Sequence, residues 1–368
     1  MRTGQQLHDR DATQVMGPLG DFEEIPPGKH VAPKTKKRMS RRAKLILSLI
    51  LVPLILLGVG LMSAGIYLHN VEGNVQRVNA FDQVPESSRP QKEAAAGGAQ
   101  NFLLLGSDSR DPENNGGSRS DTIIVLHLNK DKSAAQLISI PRDTWTFIPR
   151  AANGQHGGVD SKINASFAWG GVPLMVQTVE GYTGVRIDHV ALVDFAGFKE
   201  IVDALGGINV DVEATFTSTH SLNANHERHF EKGPQTLDGA AALDYARERY
   251  SFKDGDFARI RHQQQVIKAI LNKASSGGML SSPTKLNDFL KATTNTVSVD
   301  KDLNLIDMAT QLRHLRSENL NFYTSPTKGT GMIGTQSVVL PDKAKAKELF
   351  AAVRKDDTEA ITRLGTSK

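Results

Sequence analysis

The chain has 368 residues, with 44 basic against 40 acidic side chains and a hydrophobic share of 39%, which is typical of a folded globular protein. This length allows two average domains or one larger α/β domain with accessory segments, and shifts of composition along the chain favour the second interpretation. The absence of cysteine excludes disulfides, thiolate metal sites and cysteine nucleophiles. The formal net charge of +4 is modest and conceals a local basic cluster near the N-terminus.

The N-terminal part predicts a membrane anchor. Residues 1–44 form a polar tail without hydrophobic periodicity that ends in the basic run KTKKRMSRRAK, a run that by itself could bind nucleic acid. Residues 45–68 carry no charge and, at about 1.5 Å per residue, are long enough to cross a hydrocarbon core of about 30 Å. The positive-inside rule then predicts a single-pass signal anchor in the cell membrane, with a cytoplasmic N-terminus and an extracytoplasmic remainder. A cleaved signal peptide is the alternative.

The rest of the chain predicts one catalytic domain between a linker and a tail. Residues 69–99, with their AAAGGA tract, indicate an extracytoplasmic linker, residues 100–355 the domain, and residues 356–368 a C-terminal tail. Short apolar runs alternate with helical patterns in the domain, which predicts a single α/β/α sandwich with a mixed central sheet. Strands are expected at 101–106, 122–128, 135–140, 189–195, 208–212, 320–323 and 336–340. Helices are expected at 163–180, 196–205, 240–246, 283–293, 303–315 and 342–353, and from about 256 to 270.

Four common functional classes lack support. The segment Gly329 to Gly334 matches the spacing of a dinucleotide-binding glycine motif, but it precedes a strand and is therefore predicted to be a turn. No phosphate-binding P-loop or serine-hydrolase elbow occurs. The domain also has no basic face interleaved with aromatic residues, so nucleic acid is not an expected partner.

An arginine-rich stretch follows a predicted helix near the middle of the domain. Residues 240–246 are strong helix formers, and Asp238 precedes them as an N-cap. Arg247 and Arg249 come at the end of this helix. Residues two apart on a helix diverge by about 200°, so both guanidinium groups reach one ligand only if the helix stops there. The segment Lys253 to Gly255 indicates such a break.

A second helix is predicted to begin near Asp256. Its inward stripe runs from Ile270 through Val266 to Gln263 and Arg259, so two polar residues lie on the apolar side of the first turn. Such groups need partners, and a phosphate suits arginines beside a helix N-terminus because it accepts bidentate hydrogen bonds there. The stretch therefore favours a polyanion site.

A second interpretation of the same arginines is open from spacing alone. They could be surface residues paired with Glu248, Asp254 and Asp256, and such exposed pairs contribute little to stability.

Acidic residues mark the ends of two predicted strands. Asp108 follows the first strand, and Asp121 opens the second after a glycine-rich loop. Ligands of open α/β sheets gather beyond strand ends, so the two carboxylates are candidates to hold Mg²⁺ beside substrate phosphates, although each alone suits a turn or a cap. Arg142 follows the next strand on the same edge, with a surface ion pair to Asp143 as the alternative. Metal and arginines together would bind a diphosphate and stabilise its transfer.

These motifs, in this order, resemble the LytR-CpsA-Psr family, membrane-anchored phosphotransferases of Gram-positive and actinobacterial cell envelopes. The resemblance covers residues 101–267. It rests on NFLLLGSDSR, RSDTIIVLHL, SIPRDTW, KINASFAWGG, DFAGFKEIVDALGGINVDV, GPQTLDGAAALDYARERY and DGDFARIRHQQQVI.

The resemblance implies roles for individual residues. Asp108 and Asp121 are expected to hold Mg²⁺, with Mn²⁺ as an alternative. The residues expected to contact the pyrophosphate are Arg119, Arg142, Arg247, Arg249, Arg259 and Gln263. The sequence departs from the family at His262, where arginine is common, and this puts one peripheral contact in doubt.

The implied activity is transfer of an anionic glycopolymer, or its linkage unit, from a polyprenyl-pyrophosphate carrier to a peptidoglycan hydroxyl. Attack on the polymer-side phosphorus would release polyprenyl phosphate. Asp108 or Asp121 could accept the proton if the metal does not fully engage it. A pyrophosphatase acting on the same lipid and a lipid-binding envelope regulator without turnover are the alternatives.

Overall fold

A seven-stranded mixed sheet forms the middle of the fold. The computed structural model describes residues 75–107, 120–218, 227–276, 282–304, 307–308, 311, 315 and 317–366. The strands are β1 (Gln76–Val78), β2 (Gln100–Ser107), β3 (Ser120–Leu128), β4 (Ala135–Ser139), β5 (Trp145–Ile148), β6 (Val159–Lys162), β7 (His189–Asp194), β8 (Ile208–Val212), β9 (Phe216–Ser218), β10 (Arg228–Phe230), β11 (Gly233–Leu237), β12 (Val297–Asp300), β13 (Leu320–Thr324), β14 (Thr327–Ile333) and β15 (Gln336–Pro341).

The strand order of the large sheet is β1-β12-β7-β2-β3-β4-β13. β1 runs parallel to β12, β2 to β7, and β4 to β13, whereas the other three neighbouring pairs are antiparallel. The remaining strands form four two-stranded sheets, β5-β6, β8-β11, β9-β10 and β14-β15. The expected mixed central sheet is confirmed.

Helices cover both faces of this sheet. They are α1 (Ala165–Thr183), α2 (Phe195–Ala204), α3 (Gly239–Arg247), α4 (Asp256–Ala274), α5 (Pro283–Thr296), α6 (Lys343–Arg354) and α7 (Thr358–Thr366). Since successive strand residues point to opposite faces, Leu103 and Leu105 pack in one core with α1 and α6, while Phe102 and Leu104 pack in another that includes Ile267 of α4. The predicted three-layer α/β/α arrangement follows from these two cores.

Helix starts agree with their capping residues. The Asp238 carboxylate accepts a 2.7 Å hydrogen bond from the backbone N–H of Ala241, as its sequence position predicts. Asp194 caps α2 in the same way, accepting from Gly197 at 2.6 Å.

The N-terminal boundary of the domain lies earlier than residue 100. Within the segment predicted as a linker, β1 adds an edge strand to the sheet, and Val75, Ala96 and Ala99 are buried. Arg89 anchors this segment through a 2.8 Å ion pair to the buried Glu180. Small residues that resemble a flexible linker in composition pack against the domain here, because short side chains allow the backbone to approach closely.

The C-terminal boundary also differs from the prediction. Residues expected to be a tail form α7, whose Ile361 is fully buried in the core shared by α1 and α6. Gly365 lies against the ring of Tyr323, where an added Cβ would come within 2.4 Å of the ring. The burial of Ile361 and the close contact of Gly365 with Tyr323 hold α7 against the domain. This helix is too short to stand out in the sequence.

The glycine-rich segment Gly329 to Gly334 is mainly a strand and not a turn. Residues up to Ile333 belong to β14, and only Gly334, with φ of 59°, lies in the tight connection to β15. A register shift between Thr327 and Thr330 interrupts the pairing of β14 with β15.

The membrane segment predicted at 45–68 lies outside the described residues, as does the tail at 1–44. Within the described part of the chain, no helix combines the length and apolar character needed to cross a bilayer.

Candidate functional site

An apolar cavity of about 450 Å³ lies between one face of the central sheet and helices α2, α3 and α4. The sheet contributes Leu104, Ile124, Ala191 and Val193 to its wall. The helices contribute Phe198, Ile201, Leu243, Ala246, Val266, Ile267, Ile270 and Leu271. The alternate residues of the same strands that face the other way belong to a filled core.

One end of this cavity is cationic. It is lined by Asp121, Arg142, Arg247, Arg249, Arg259 and Gln263. Arg259 and Leu271 lie twelve residues apart on α4, so the lining extends about 18 Å along the helix from its charged to its apolar end. The predicted stripe of Arg259, Gln263, Val266 and Ile270 therefore faces one space. The cavity can accept a long apolar group with an anionic head.

Asp121 reaches this end because of a local irregularity between β2 and β3. Their pairing shifts between Gly106 and Ser107, and Gly106 lies so close to Thr122 that an added Cβ would meet the Thr122 Cβ at 2.9 Å. A glycine is required for this approach. The two other predicted residues of this region, Asp108 and Arg119, lie outside the described residues.

Arg142 lies in a tight turn directly after β4. Thr144 closes the turn by donating hydrogen bonds from its backbone N–H and hydroxyl to the Pro141 carbonyl, at 3.0 and 2.7 Å. The guanidinium group donates to the Asp121 carboxylate, and its Nε lies 4.0 Å from Asp143. Burial opposes the charge of Arg142, but the neighbouring carboxylates, Asp121 above all, raise its pKa overall. Arg142 thus stays charged in a half-buried position.

Arg247 and Arg249 converge because α3 ends between them. The buried Glu248 has an extended backbone, and its Oε1 accepts hydrogen bonds from the N–H groups of Arg249, Tyr250 and Ser251 at 2.8, 2.7 and 3.1 Å. This carboxylate turns the chain after the helix, so both arginines line the same cavity. The break lies closer to the arginines than the predicted one.

Arginine–aromatic contacts hold these two side chains. The guanidinium carbon of Arg247 lies 4.7 Å from the ring centre of Phe195, and that of Arg249 lies 4.4 Å from the ring centre of Tyr250. Stacking on a ring holds each guanidinium group in a fixed position beside the cavity.

Arg259 is the most buried of the four arginines, with 5% of its side chain exposed. It forms an ion pair with Asp256 one turn earlier on α4. Burial lowers the pKa of Arg259, and Asp256 partly offsets that effect, but an arginine side chain remains protonated in proteins. The alternative interpretation of these arginines as exposed surface residues therefore does not describe Arg259. Asp254, another of the three acids predicted as possible partners, forms its ion pair with Arg261 instead.

A second, polar groove of about 1060 Å³ adjoins the arginines. Arg142 and Arg249 line both spaces, so the groove and the cavity meet at the cationic end. Other groove residues include Lys162, Asn164, Trp169, Tyr250, Asp256 and Gln336. Sequence reasoning did not anticipate this groove, because its walls come from β6, α1, β15 and the loop before α4.

His262, the departure from the family pattern, does not line the cavity. Its buried ring stacks on Tyr245 with 4.2 Å between ring centres, and its Nε2 lies 3.3 Å from a Glu213 oxygen. Burial lowers the pKa of this imidazole, against the influence of Glu213. The residue belongs to an aromatic cluster with Phe216 and Phe252 beneath the loop that carries Arg249.

The carboxylates of the site suit a hard divalent cation only in part. Asp121 is the predicted metal ligand within the described residues, and in that part of the chain no group of three or more metal-ligating side chains occurs. A single carboxylate is nevertheless a usual protein contribution to Mg²⁺ bound through substrate phosphates.

Curated relatives share most of this chain. The polyisoprenyl-teichoic acid–peptidoglycan teichoic acid transferase TagU of Bacillus subtilis is 32% identical over 306 residues, which cover 81% of this chain and 90% of TagU. The cell wall biosynthesis protein LcpA of Corynebacterium glutamicum is 32% identical over 297 residues, covering 70% of this chain and 56% of LcpA.

Solved structures share the fold. TagV of B. subtilis matches with a TM-score of 0.58 at 28% identity, covering 72% of this chain and 97% of TagV. TagT bound to LIIa-WTA matches in fold with a TM-score of 0.57 at 23% identity, covering 76% of this chain and 99% of TagT. The sequence model of the LytR_cpsA_psr family matches residues 66–355. With its motifs, its mixed sheet and this match over most of its length, the chain belongs to the LytR-CpsA-Psr family.

Proposed function

We propose that the protein is a membrane-anchored phosphotransferase that moves an anionic glycopolymer, or its linkage unit, from a polyprenyl-pyrophosphate carrier to a hydroxyl of peptidoglycan. The observation that carries this proposal is the single cavity whose long wall is apolar and whose end holds Arg142, Arg247, Arg249 and Arg259. A prenyl chain matches the apolar wall, and a diphosphate matches the arginines, which bind phosphate oxygens bidentately.

The names of the relatives support the two substrates. TagU is named for transfer of teichoic acid from a polyisoprenyl carrier to peptidoglycan, and it aligns with 81% of this chain. The polymer handled by the present protein is proposed only by class: an anionic glycan linked through phosphate.

The residues of the cationic end have distinct roles in this mechanism. The four arginines hold the diphosphate and neutralise charge on the transferring phosphoryl group and on the leaving polyprenyl phosphate. Gln263 borders the same group, and Arg119 is a further proposed phosphate contact. Asp121, together with Asp108, would hold Mg²⁺ or Mn²⁺. The bound ion would supply further positive charge to the phosphate oxygens.

The membrane anchor is the uncharged segment 45–68, which follows the basic run ending at Lys44. It would tether the domain outside the cell membrane, where both the lipid carrier and peptidoglycan are reached.

The test uses the full-length protein in detergent with a synthetic short-chain prenyl-pyrophosphoryl disaccharide, Mg²⁺ and peptidoglycan oligomers, followed by mass spectrometry. We expect a disaccharide-phosphate adduct on peptidoglycan, lost by about 10²-fold or more in Arg142→Ala and Asp121→Ala. Arg261→Ala is the matched control, because Arg261 lies on the same helix but pairs outside the cavity with Glu213 and Asp254.

Two results would contradict the transferase proposal. Release of disaccharide phosphate without an adduct would indicate a pyrophosphatase acting on the same lipid. Tight binding of the lipid without any product would indicate a regulator that senses the carrier.

A further inference from the structure

The Asp256 carboxylate lies at the junction of the cavity and the polar groove. It belongs to the first residue of α4, lines the groove beside Arg142, and has 10% of its side chain exposed. Its closest cation is Arg259, and the Nε of Arg142 lies 4.0 Å away. Among the described residues, neither carboxylate oxygen of Asp256 accepts a hydrogen bond. Arg259 balances the charge of this carboxylate, while none of the other described residues holds either of its oxygens by a hydrogen bond.

The surroundings of Asp256 favour a proton acceptor. Burial raises the pKa of its carboxyl above the usual value, and this effect exceeds the opposing influence of Arg259 and Arg142. Of its more distant neighbours, Asp143 raises the pKa and Arg249 lowers it. A carboxylate with a raised pKa is a stronger base than an ordinary aspartate.

The two spaces also give the two substrates separate places beside the phosphate site. The apolar cavity would hold the prenyl chain, which leaves with its own phosphate. The polar groove adjoins the cavity at Arg142 and Arg249, and Trp169 and Asn164 offer a ring and an amide to a sugar. An acceptor sugar in the groove would reach the polymer-side phosphorus without displacing the prenyl chain, and in-line displacement requires separate places for the attacking and the leaving oxygen.

We propose that Asp256 is the general base that activates the acceptor hydroxyl of peptidoglycan. This inference rests on the proposed transferase function. The acceptor oxygen forms a bond to the phosphorus that carries the glycan, the bond from that phosphorus to the bridging oxygen breaks, and polyprenyl phosphate leaves with the electron pair. The hydroxyl proton passes to a carboxylate oxygen of Asp256.

This assignment differs from the expectation that Asp108 or Asp121 accepts the proton. Both carboxylates are paired with an arginine, Asp121 with Arg142 and Asp256 with Arg259, but Asp121 lines the cavity where the diphosphate would lie. Asp256 instead lines the groove from which the acceptor would come. From spacing alone, Asp256 was indistinguishable from a surface partner of the arginines.

The experiment compares wild-type protein with Asp256→Asn, both full length in detergent. Dissociation constants for the short-chain prenyl-pyrophosphoryl disaccharide are measured by calorimetry, and single-turnover transfer to peptidoglycan oligomers is followed from pH 4.5 to 8.5. We expect the dissociation constant to change by less than about threefold, whereas the transfer rate falls by about 10²- to 10⁴-fold. The wild-type rate should rise with pH on its acidic side, because the base must be deprotonated, and Asp256→Asn should lack that rise.

The matched control is Asp211→Asn, which removes an exposed carboxylate of β8 that lines neither the cavity nor the groove and should transfer at the wild-type rate. Three results would overturn the assignment: a transfer rate within about threefold of wild type, an unchanged acidic limb in Asp256→Asn, or a loss explained entirely by weaker donor binding. The last would make Asp256 a positioning residue for Arg142 and Arg259. An adduct formed by the wild type establishes the transferase independently, so failure of this assignment is distinct from failure of the proposed function.

Discussion

The two faces of the central sheet are built from alternating residues of the same strands, yet they differ in packing. On one face, Leu103, Leu105 and Val190 meet α1, α6 and α7 in a continuous core. On the other, Leu104 and Val193 line the cavity beneath α2, α3 and α4. Both faces are equally apolar in sequence. The difference arises from how closely the covering helices approach the sheet.

This contrast separates stability from function within one sheet. Side-chain packing on the filled face stabilises the fold, because a change of side-chain volume in a close-packed interior lowers the free energy of unfolding. The cavity face forgoes part of that packing energy and retains a space for a ligand. The charged end of the cavity is reached only by residues at the strand ends and helix ends that border it.

Truncating a large aromatic side chain on each face should give the largest difference between the two faces in the free energy of unfolding. Phe350→Ala removes a fully buried ring that packs edge-on against Tyr182, and we expect the free energy of unfolding to fall by about 3–5 kcal/mol. Phe198→Ala shortens a half-buried ring that already borders the cavity, so its cost should be clearly smaller. Denaturant unfolding monitored by tryptophan fluorescence measures both. Equal losses would show that the cavity face is packed as tightly as the other.

Adding volume on one strand sharpens the same comparison. Val190 and Val193 lie on β7 and point to opposite faces. Val190→Phe overpacks a fully buried site and should lower the free energy of unfolding by about 1–3 kcal/mol or more. Val193→Phe should instead enter the cavity, with little loss of stability and a dissociation constant for the prenyl lipid raised about tenfold or more, equivalent to about 1.4 kcal/mol.

The reverse pattern would contradict the assignment of the two faces. If Val193→Phe unfolded the protein as readily as Val190→Phe, the space would be too small or too rigid for a ligand. If lipid binding were unchanged in a stable Val193→Phe protein, the prenyl chain would lie elsewhere.

The smallest effect is expected outside both faces, at Arg261. Its ion pairs with Glu213 and Asp254 are partly exposed and should contribute only about 0.2–1 kcal/mol. Hydrogen bonding to Arg261 lowers the pKa of Asp254, and the same arginine outweighs burial to lower the pKa of Glu213. A lowered pKa stabilises the fold above the ordinary carboxyl value, and this contribution is lost as pH falls through the lowered one.

Arg261→Gln should therefore be slightly less stable than wild type at pH 7, and this difference should be smaller at about pH 3, where both carboxyls are closer to protonation. Denaturation midpoints at the two pH values measure this difference. A constant difference at both pH values would mean that Arg261 acts through packing and not through charge.

Much of the fold was predictable because its signals are local. Most strands of the central sheet are short apolar runs between turns, and α3 has both strong helix formers and its capping residue Asp238. Elements outside the predicted domain were missed for a physical reason. β1 is three residues long and gains its stability from pairing with β12, more than two hundred residues later in the chain. The glycine-rich segment 329–334 was likewise predicted to be a turn, and pairing with β15 makes most of it a strand.

The site shows the same division. The amino-acid sequence by itself determined the family, the α/β alternation, the capping of α3 and the stripe of Arg259, Gln263 and Val266, because each depends on spacing along one element. Only the tertiary structure decided that Glu248 turns the chain so that Arg247 and Arg249 converge, and that one sheet face stays open. It also decided that Asp256 lies beside Arg142 at the polar groove, since these contacts join residues far apart in the chain.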